Sequence, residues 1–213
     1  MDWQTWHGKY DTPHSRMAER LRTVQAQIDL ALNSCDPGPI RVISLCAGQG
    51  RDLLEVLQGH PRRNDVQARL VELDRRNTEF AERLAFSSGL HQIEVMTADA
   101  SISDHYRGMT PAHLVLICGV FGNIHDGDIE RTIDRCPQLC ATGGRVIWTR
   151  HRRKPDRVPM ICRRFEGLDF EQHWLSAPET ELAVGVHQFR GKPSPLVLGE
   201  RMFTFVGYDK LKS

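Results

Sequence analysis

The chain lacks several features that would settle its class at once. No two cysteines form a Cys-x-x-Cys pair, so neither a zinc-ribbon nor a thioredoxin-like pattern has a foothold. No run of 18 apolar residues occurs, so no helical membrane span is expected. An excess of one charge is missing as well: 28 Lys and Arg against 27 Asp and Glu leave +1, too little for a whole-surface field that gathers nucleic acid. Met1-Asp2-Trp3-Gln4 carries neither a basic start nor an apolar signal core, and a soluble, cytoplasmic protein is expected. Repeats and low-complexity tracts are also absent, and the 213 residues suit one α/β domain with a full core.

Six cysteines are present, Cys35, Cys46, Cys118, Cys136, Cys140 and Cys162. Their spacing and apolar settings are those of reduced, buried thiols. Cys136 and Cys140 would share a helix face, but no third or fourth ligand stands nearby, so no metal site is expected.

The stretch Ile40–Leu54 organises the rest. An apolar, β-branched run breaks into Gly48 and Gly50, then reopens as a helical pattern over 51–58 with Leu53, Leu54 and Leu57 on one face. This predicts strand, tight turn and helix. Without a Cβ, glycine lets a ligand approach the backbone, and the helix start offers unpaired N–H groups.

Similar units follow. A second strand, Ala68–Leu73, carries Glu72 near its end, 22 residues beyond Gly50; there a carboxylate can accept from the two hydroxyls of a ribose, or simply be solvated. A third, Ile93–Thr97, ends at Asp99-Ala100. A fourth, His113–Cys118, opens into the loop Gly119-Val120-Phe121-Gly122-Asn123-Ile124-His125, and a fifth, Arg145–Thr149, ends in Arg150-His151-Arg152-Arg153-Lys154. That basic run is either a solvated face or a ligand-facing one. Helical spacing is predicted over 13–33, started by Thr12-Pro13 and carrying Met17, Leu21, Val24, Ile28 and Leu32, then over 77–86, 128–140 and 158–165. Phe170–Trp174, Leu182–Phe189 and Met202–Val206 read as strands without helices between them, which predicts an antiparallel edge.

Residues 3–15 concentrate Trp3, Trp6, His7, Tyr10, Asp11, His14 and Ser15. They read as an aromatic staple onto the body or as a lid over a site, and the two are compatible. Residues 1–39 are taken as this lid segment and a helix, part of the same domain as residues 40–213.

Five βα units with polar residues at successive strand ends, finished by antiparallel strands, resemble the class I, Rossmann-like S-adenosylmethionine-dependent methyltransferases of bacterial small-molecule type, over roughly residues 40–206. The resemblance implies an α/β fold: a seven-stranded sheet, mostly parallel, with an antiparallel C-terminal hairpin edge, helices on both faces and an N-terminal helical cap. It implies S-adenosylmethionine as cofactor. Cys46-Ala47-Gly48-Gln49-Gly50 takes the place of the turn beneath the methionine part, and Glu72, followed by Leu73, that of the ribose carboxylate. Asp99-Ala100 matches the adenine pair, Cys118-Gly119-Val120 the segment beside the methyl donor, and Gly143-Gly144 the turn before the fifth strand. Three positions depart from the family pattern. Ser44 stands where an acidic residue is common, Cys46 where the first glycine is, and His113 where an aspartate is. Holding the methionine ammonium would then fall to backbone carbonyls and Asp52.

The implied activity is in-line methyl transfer to a small-molecule acceptor. His7 and Tyr10 would close over the cofactor, Asn123, His125 and His151 would line the acceptor side with His151 as base, and Arg150 with its neighbours would pair with an anionic group on the acceptor. Two other readings stay open, an RNA-directed methyltransferase using the basic residues of 150–157 and 163–164 and a non-catalytic S-adenosylmethionine-binding protein. A dinucleotide oxidoreductase would need a third glycine, where this chain has Leu53.

Overall fold

The computed structural model describes residues 15–208 and 210–212. Helix α1 (Arg16–Asn33) begins after Ser15, whose extended backbone and Oγ, accepting from the Ala18 N–H at 3.0 Å, make it the N-cap. This corrects the start expected at Pro13. A hydroxyl three residues before a free N–H satisfies a helix end, and a proline at the first position does not. Thr12 and Pro13 themselves lie outside the described residues.

After α1 come β1 (Ile40–Leu45), α2 (Arg51–Gly59), β2 (Val66–Glu72), α3 (Arg75–Ser87), β3 (Ile93–Thr97), β4 (Ala112–Ile117), α4 (Asp126–Leu139), β5 (Cys140–His151), α5 (Val158–Glu166), β6 (Phe170–Leu175) and β7 (Leu182–Phe189). The seven strands form one sheet in the order β3-β2-β1-β4-β5-β7-β6. Neighbours from β3 to β5 pair in parallel, while β7 runs antiparallel to both β5 and β6. The expected parallel sheet with an antiparallel C-terminal hairpin edge is thus present. Met202–Val206 departs from expectation: it is no strand, and only Arg201 makes an isolated bridge, to Ile102.

Strand alternation distributes the core over two faces. Ile40 and Val42 of β1 and Leu114 and Leu116 of β4 point toward α1, α2 and α3. Ile43, Leu45, Val115 and Ile117 point toward α4 and α5. Strands β1 to β3 are laid down toward one side of the sheet and β4 onward toward the other, so the order of succession reverses between the parallel neighbours β1 and β4. In such sheets a crevice opens outside the carboxyl ends of those two strands.

On β7 the antiparallel edge holds an apolar stack around a histidine. His187 is fully buried, stacked on Phe165 with ring centroids 4.6 Å apart, and its Nδ1 accepts from Trp148 Nε1 at 3.0 Å. Its Nε2 has no partner among the described residues. Burial moves its pKa from 6.5 to about 4. As pH falls the unfolded chain therefore takes up this proton first. Stability is fully present above about 6.5 and is lost between there and about 4, by about 3 kcal/mol at most. Urea midpoints of the wild type should drop from about pH 7.5 to about pH 4.5 more steeply than those of His187→Gln, which keeps an acceptor for the indole but does not titrate. Parallel slopes in the two proteins would show that another group sets the acid limit.

Candidate active site

A cleft of about 430 Å³ opens at the carboxyl ends of β1, β2, β3 and β4. Its floor is the turn after β1. Cys46 adopts φ 50°, Gly48 φ 56° and Gly50 φ 67°, a left-handed path in which glycine is favoured and cysteine is an exception. The Gly50 N–H donates to Ala47 O at 2.9 Å, and Gly50 caps α2 with no side-chain bond. A Cβ on Gly50 would lie 2.6 Å from Leu70 Cδ2, so the helix packs hard against β2. Ser44 is buried in β1.

Glu72 ends β2 and ties this turn to the next. Its Oε2 accepts from the Gly48 N–H at 2.9 Å and its Oε1 from the Asp74 N–H at 2.8 Å. Each oxygen retains a lone pair for a further donor. Leu73, 69% exposed, forms the apolar rim beside it.

Asp99, two residues beyond the end of β3, lines the cleft with Glu72. Its Oδ1 accepts from the N–H and Oγ of Ser101, and its Oδ2 from Arg201 at 2.8 Å. Burial alone would raise its pKa, but the bonds from Ser101 and Arg201 outweigh this and hold it below the ordinary value.

The opposite end of the cleft carries two charges that do not match the rest of its wall. Asp52, in the first turn of α2, is half-buried, and burial raises its pKa to about 6 against the Leu53 N–H and the Arg20 charge. Arg20, from α1, lines the same end. Cys118 also lies there, its thiol pushed up by burial first and then by Asp52. Asn77, in the first turn of α3, is buried and lines the cleft, with its Oδ1 lacking a partner among the described residues.

The structure therefore brings together Cys46, Ala47, Gly48, Gln49, Gly50, Glu72, Leu73, Asp99, Ala100, Cys118, Gly119 and Asn123, each of which lines the cleft. Val120 is fully buried in the core instead. Asn123 has its carboxamide engaged: Nδ2 donates to Gly119 O at 2.6 Å and Oδ1 accepts from the Tyr208 N–H at 2.8 Å. His125 is the exposed residue before α4 and does not line the cleft. Arg150 donates to Phe121 O and does not line it either.

His151 does not line the cleft either: it packs edge-on against the Tyr208 ring, centroids 5.3 Å apart, with its Nδ1 buried and without a partner among the described residues. Burial, then Arg150 and Arg153, lowers its pKa to about 4, so the ring is neutral at ordinary pH. His7 and Tyr10 lie outside the described residues.

The sequence reading missed Arg20, Asn77, Phe203 and Phe205 as cleft residues. Phe203 and Phe205 arrive on the 200–208 segment, which crosses the strand ends. The Met202 N–H donates to Ser101 O, the Thr204 N–H to Asp128 Oδ2, and the Val206 and Gly207 N–H groups to Asn123 O.

No curated protein matches the chain. Among solved structures it is similar to a magnesium protoporphyrin IX methyltransferase of Synechocystis PCC 6803 with S-adenosylmethionine bound, at 13% identity over 88% of this chain and 90% of that one, TM-score 0.64. It is similar to an rRNA methylase of Streptococcus thermophilus at 14% identity, over 78% and 95% of the two chains, TM-score 0.59. An O-methyltransferase family protein of Burkholderia thailandensis matches at 16% identity and TM-score 0.59 over 79% of this chain, which spans 57% of that one. At these identities the likeness is one of fold. The family model described as "Putative methyltransferase" matches residues 15–176, most of the chain, and the protein belongs to that family of class I, Rossmann-like methyltransferases.

Proposed function

We propose that the protein transfers the methyl group of S-adenosylmethionine to a small-molecule acceptor, with the cofactor in the cleft above β1–β4. The observation that carries this reading is the polarity of the cleft, whose two ends match the two ends of one ligand. At one end Glu72 and Asp99 offer carboxylate oxygens suited to ribose hydroxyls and an adenine amino group. At the other, Asp52 and Arg20 suit the ammonium and carboxylate of an amino acid. Asn77 Oδ1, buried and unmatched among the described residues, calls for a donor from within the cleft. Asp52 also answers the departure at Ser44, because a half-buried carboxylate in the first turn of α2 replaces the missing acidic group of β1.

The cofactor, when bound, supplies a methyl carbon already activated by a positive sulfur. What the chain has to contribute is alignment, dryness and a proton acceptor. Asn123 acts as a positioning residue, holding Gly119 at the end of β4 and the 206–208 segment in fixed relation. Neutral His151 is the proton acceptor of this reading. The basic residues after β5 are largely engaged within the chain: Arg152 with Asp156 and Ser176 O, Arg157 with Asp126, Arg153 over the Tyr208 ring. This favours a small acceptor over an RNA backbone, which needs such groups for phosphates.

Calorimetric titration with S-adenosylhomocysteine tests the reading. Asp52→Asn should weaken binding about tenfold or more, the loss of a charge-assisted bond, and His151→Ala should leave binding intact while slowing methyl transfer. Wild-type protein that binds no S-adenosylhomocysteine would end the cofactor assignment.

A further inference from the structure

The end of β5 adjoins the cleft at the β4 end. The Gly119 N–H, on the cleft wall, donates to Thr149 Oγ1 at 2.8 Å. Alternate residues of a strand share a face and stand about 7 Å apart, so His151 lies on the Gly119 side of β5, one pleat further out. A Cβ on Gly122 would come within 3.8 Å of His151 Cδ2, which sets the imidazole against the 119–123 loop. The Tyr208 ring closes the group. It packs on His151, and the Tyr208 backbone N–H is held by Asn123, another residue of the cleft.

Charge at this strand end does not balance. The carboxylates that act on Arg150 and His151 are Asp126 and Asp156, and both are taken, Asp126 by Arg157 and Asp156 by Arg152. Arg150 and Arg153 make no ion pair among the described residues. Arg153, exposed, lies over the Tyr208 ring at 5.0 Å from its centroid, a contact that leaves its charge unneutralised. Arg150 is half-buried and gives one N–H to Phe121 O. Two polar atoms on consecutive residues, Arg150 Nε and His151 Nδ1, are buried without partners among the described residues. Buried polar atoms and charges ordinarily have partners within the fold; here they border the side of the cleft given to the methyl donor.

We propose that the methyl acceptor is a small anion, anchored at this rim through a carboxylate or phosphate group by Arg153 with the Arg150 charge behind it, and reaching past His151 toward Gly119; the inference rests on the cofactor reading above. A guanidinium group presents paired N–H donors that match the oxygens of either anion. The anchor is not the reacting group. A hydroxyl or amine elsewhere on the acceptor uses a lone pair to form the bond to the methyl carbon. The electron pair of the broken carbon–sulfur bond stays on sulfur, and the proton displaced from the acceptor passes to the His151 imidazole.

The anchor also acts on the base. Burial first, then the Arg150 and Arg153 charges, hold the pKa of His151 at about 4. An anion set against the two guanidinium groups offsets the second cause and leaves the first. The pKa of His151 therefore rises when the acceptor is bound, and the imidazole becomes a better proton acceptor at that moment.

The test titrates three probes into the full chain saturated with S-adenosylhomocysteine: 3-phenylpropanoate, phenyl phosphate and, as the probe of opposite charge, 2-phenylethylamine. At least one anion should bind about tenfold more tightly than the amine, and the tighter of the two anions identifies the anchor as carboxylate or phosphate. Arg153→Gln should weaken anion binding severalfold and bind S-adenosylhomocysteine as the wild type does. The His151 imidazole resonance, assigned by its loss in His151→Ala, should titrate at higher pH with the anion bound than without it. The amine binding as tightly as both anions, no anion binding at millimolar concentration, anion binding untouched by Arg153→Gln, or a His151 titration unmoved by the anion overturns the proposal. Failure of the wild type to bind S-adenosylhomocysteine instead overturns the cofactor reading, and the anion titration without it is read on its own.

Discussion

Gly185→Ala should destabilise the protein by about 3 kcal/mol or more, among the largest effects of any single methyl group added to this chain. Gly185 lies in the middle of β7 opposite Trp148 of β5. A Cβ there would sit 2.3 Å from Trp148 Cζ2 and 2.4 Å from Cε2, far inside contact distance. The indole cannot swing aside. It is fully buried, its Nε1 is bonded to His187, and the His187 ring stacks on Phe165 behind it. Relief would require either breaking that bond inside an apolar layer or moving β7 away from β5. Moving β7 would carry β6 and the 176–181 loop with it. Urea unfolding is the measurement, and a midpoint within experimental scatter of the wild type would show that the β5–β7 seam yields easily. Trp148→Phe in the Gly185→Ala background should recover part of the loss, since it removes the ring atoms nearest the new methyl group.

The βα units from residue 40 to residue 118 were legible because their signals are local. A β-branched run, a glycine turn and a helical spacing each lie within a few residues, and a parallel strand buried on both faces has little choice but to be apolar. The ends of elements were less legible. Ser15 and Pro13 are both good helix-start residues, and the choice rests on a hydroxyl reaching Ala18. Met202–Val206 failed for another reason. Its run of large apolar and β-branched residues is that of a strand, but its N–H groups are taken one at a time by Ser101, Asp128 and Asn123. A short run of large apolar residues is read the same way whether it is paired along a strand or strapped across strand ends, and here Met202 and Phe203 are both buried while Phe205 is exposed.

The same division holds in the cleft. Glu72 and Asp99 could be named from sequence because each terminates a strand whose position in the sheet follows from its order. Arg20 and Asn77 lie on helices and come to the cleft by packing, where helical periodicity reports only a wet or dry face. Asp52 was reachable by elimination from the missing acid at Ser44. What the structure adds is its partial burial, which makes a cation beside it worth more than on the open surface.

Glu72→Ala should weaken S-adenosylhomocysteine binding by about 1.5–3 kcal/mol, about tenfold to more than a hundredfold. Two contributions are expected, and they can be separated. The carboxylate is the acceptor assigned to the ribose hydroxyls, and it also accepts the N–H groups of Gly48 and Asp74, so its loss frees the turn beneath the ligand as well. Glu72→Gln is no milder control. Its amide nitrogen would be set against one of those two backbone N–H groups, replacing an attraction with a repulsion between donors. The separation comes instead from the ligand. A 2′,3′-dideoxy analogue of S-adenosylhomocysteine lacks the hydroxyls but uses the rest of the cleft. Wild-type protein should bind it far more weakly than the parent compound, whereas Glu72→Ala should bind the two nearly alike, because the group that distinguishes them is gone. Any further loss shared by both ligands in the variant measures the turn. If parent and analogue differ by the same factor in both proteins, Glu72 does not hold the ribose, and its purpose is to fasten the Gly48 turn to the end of β2.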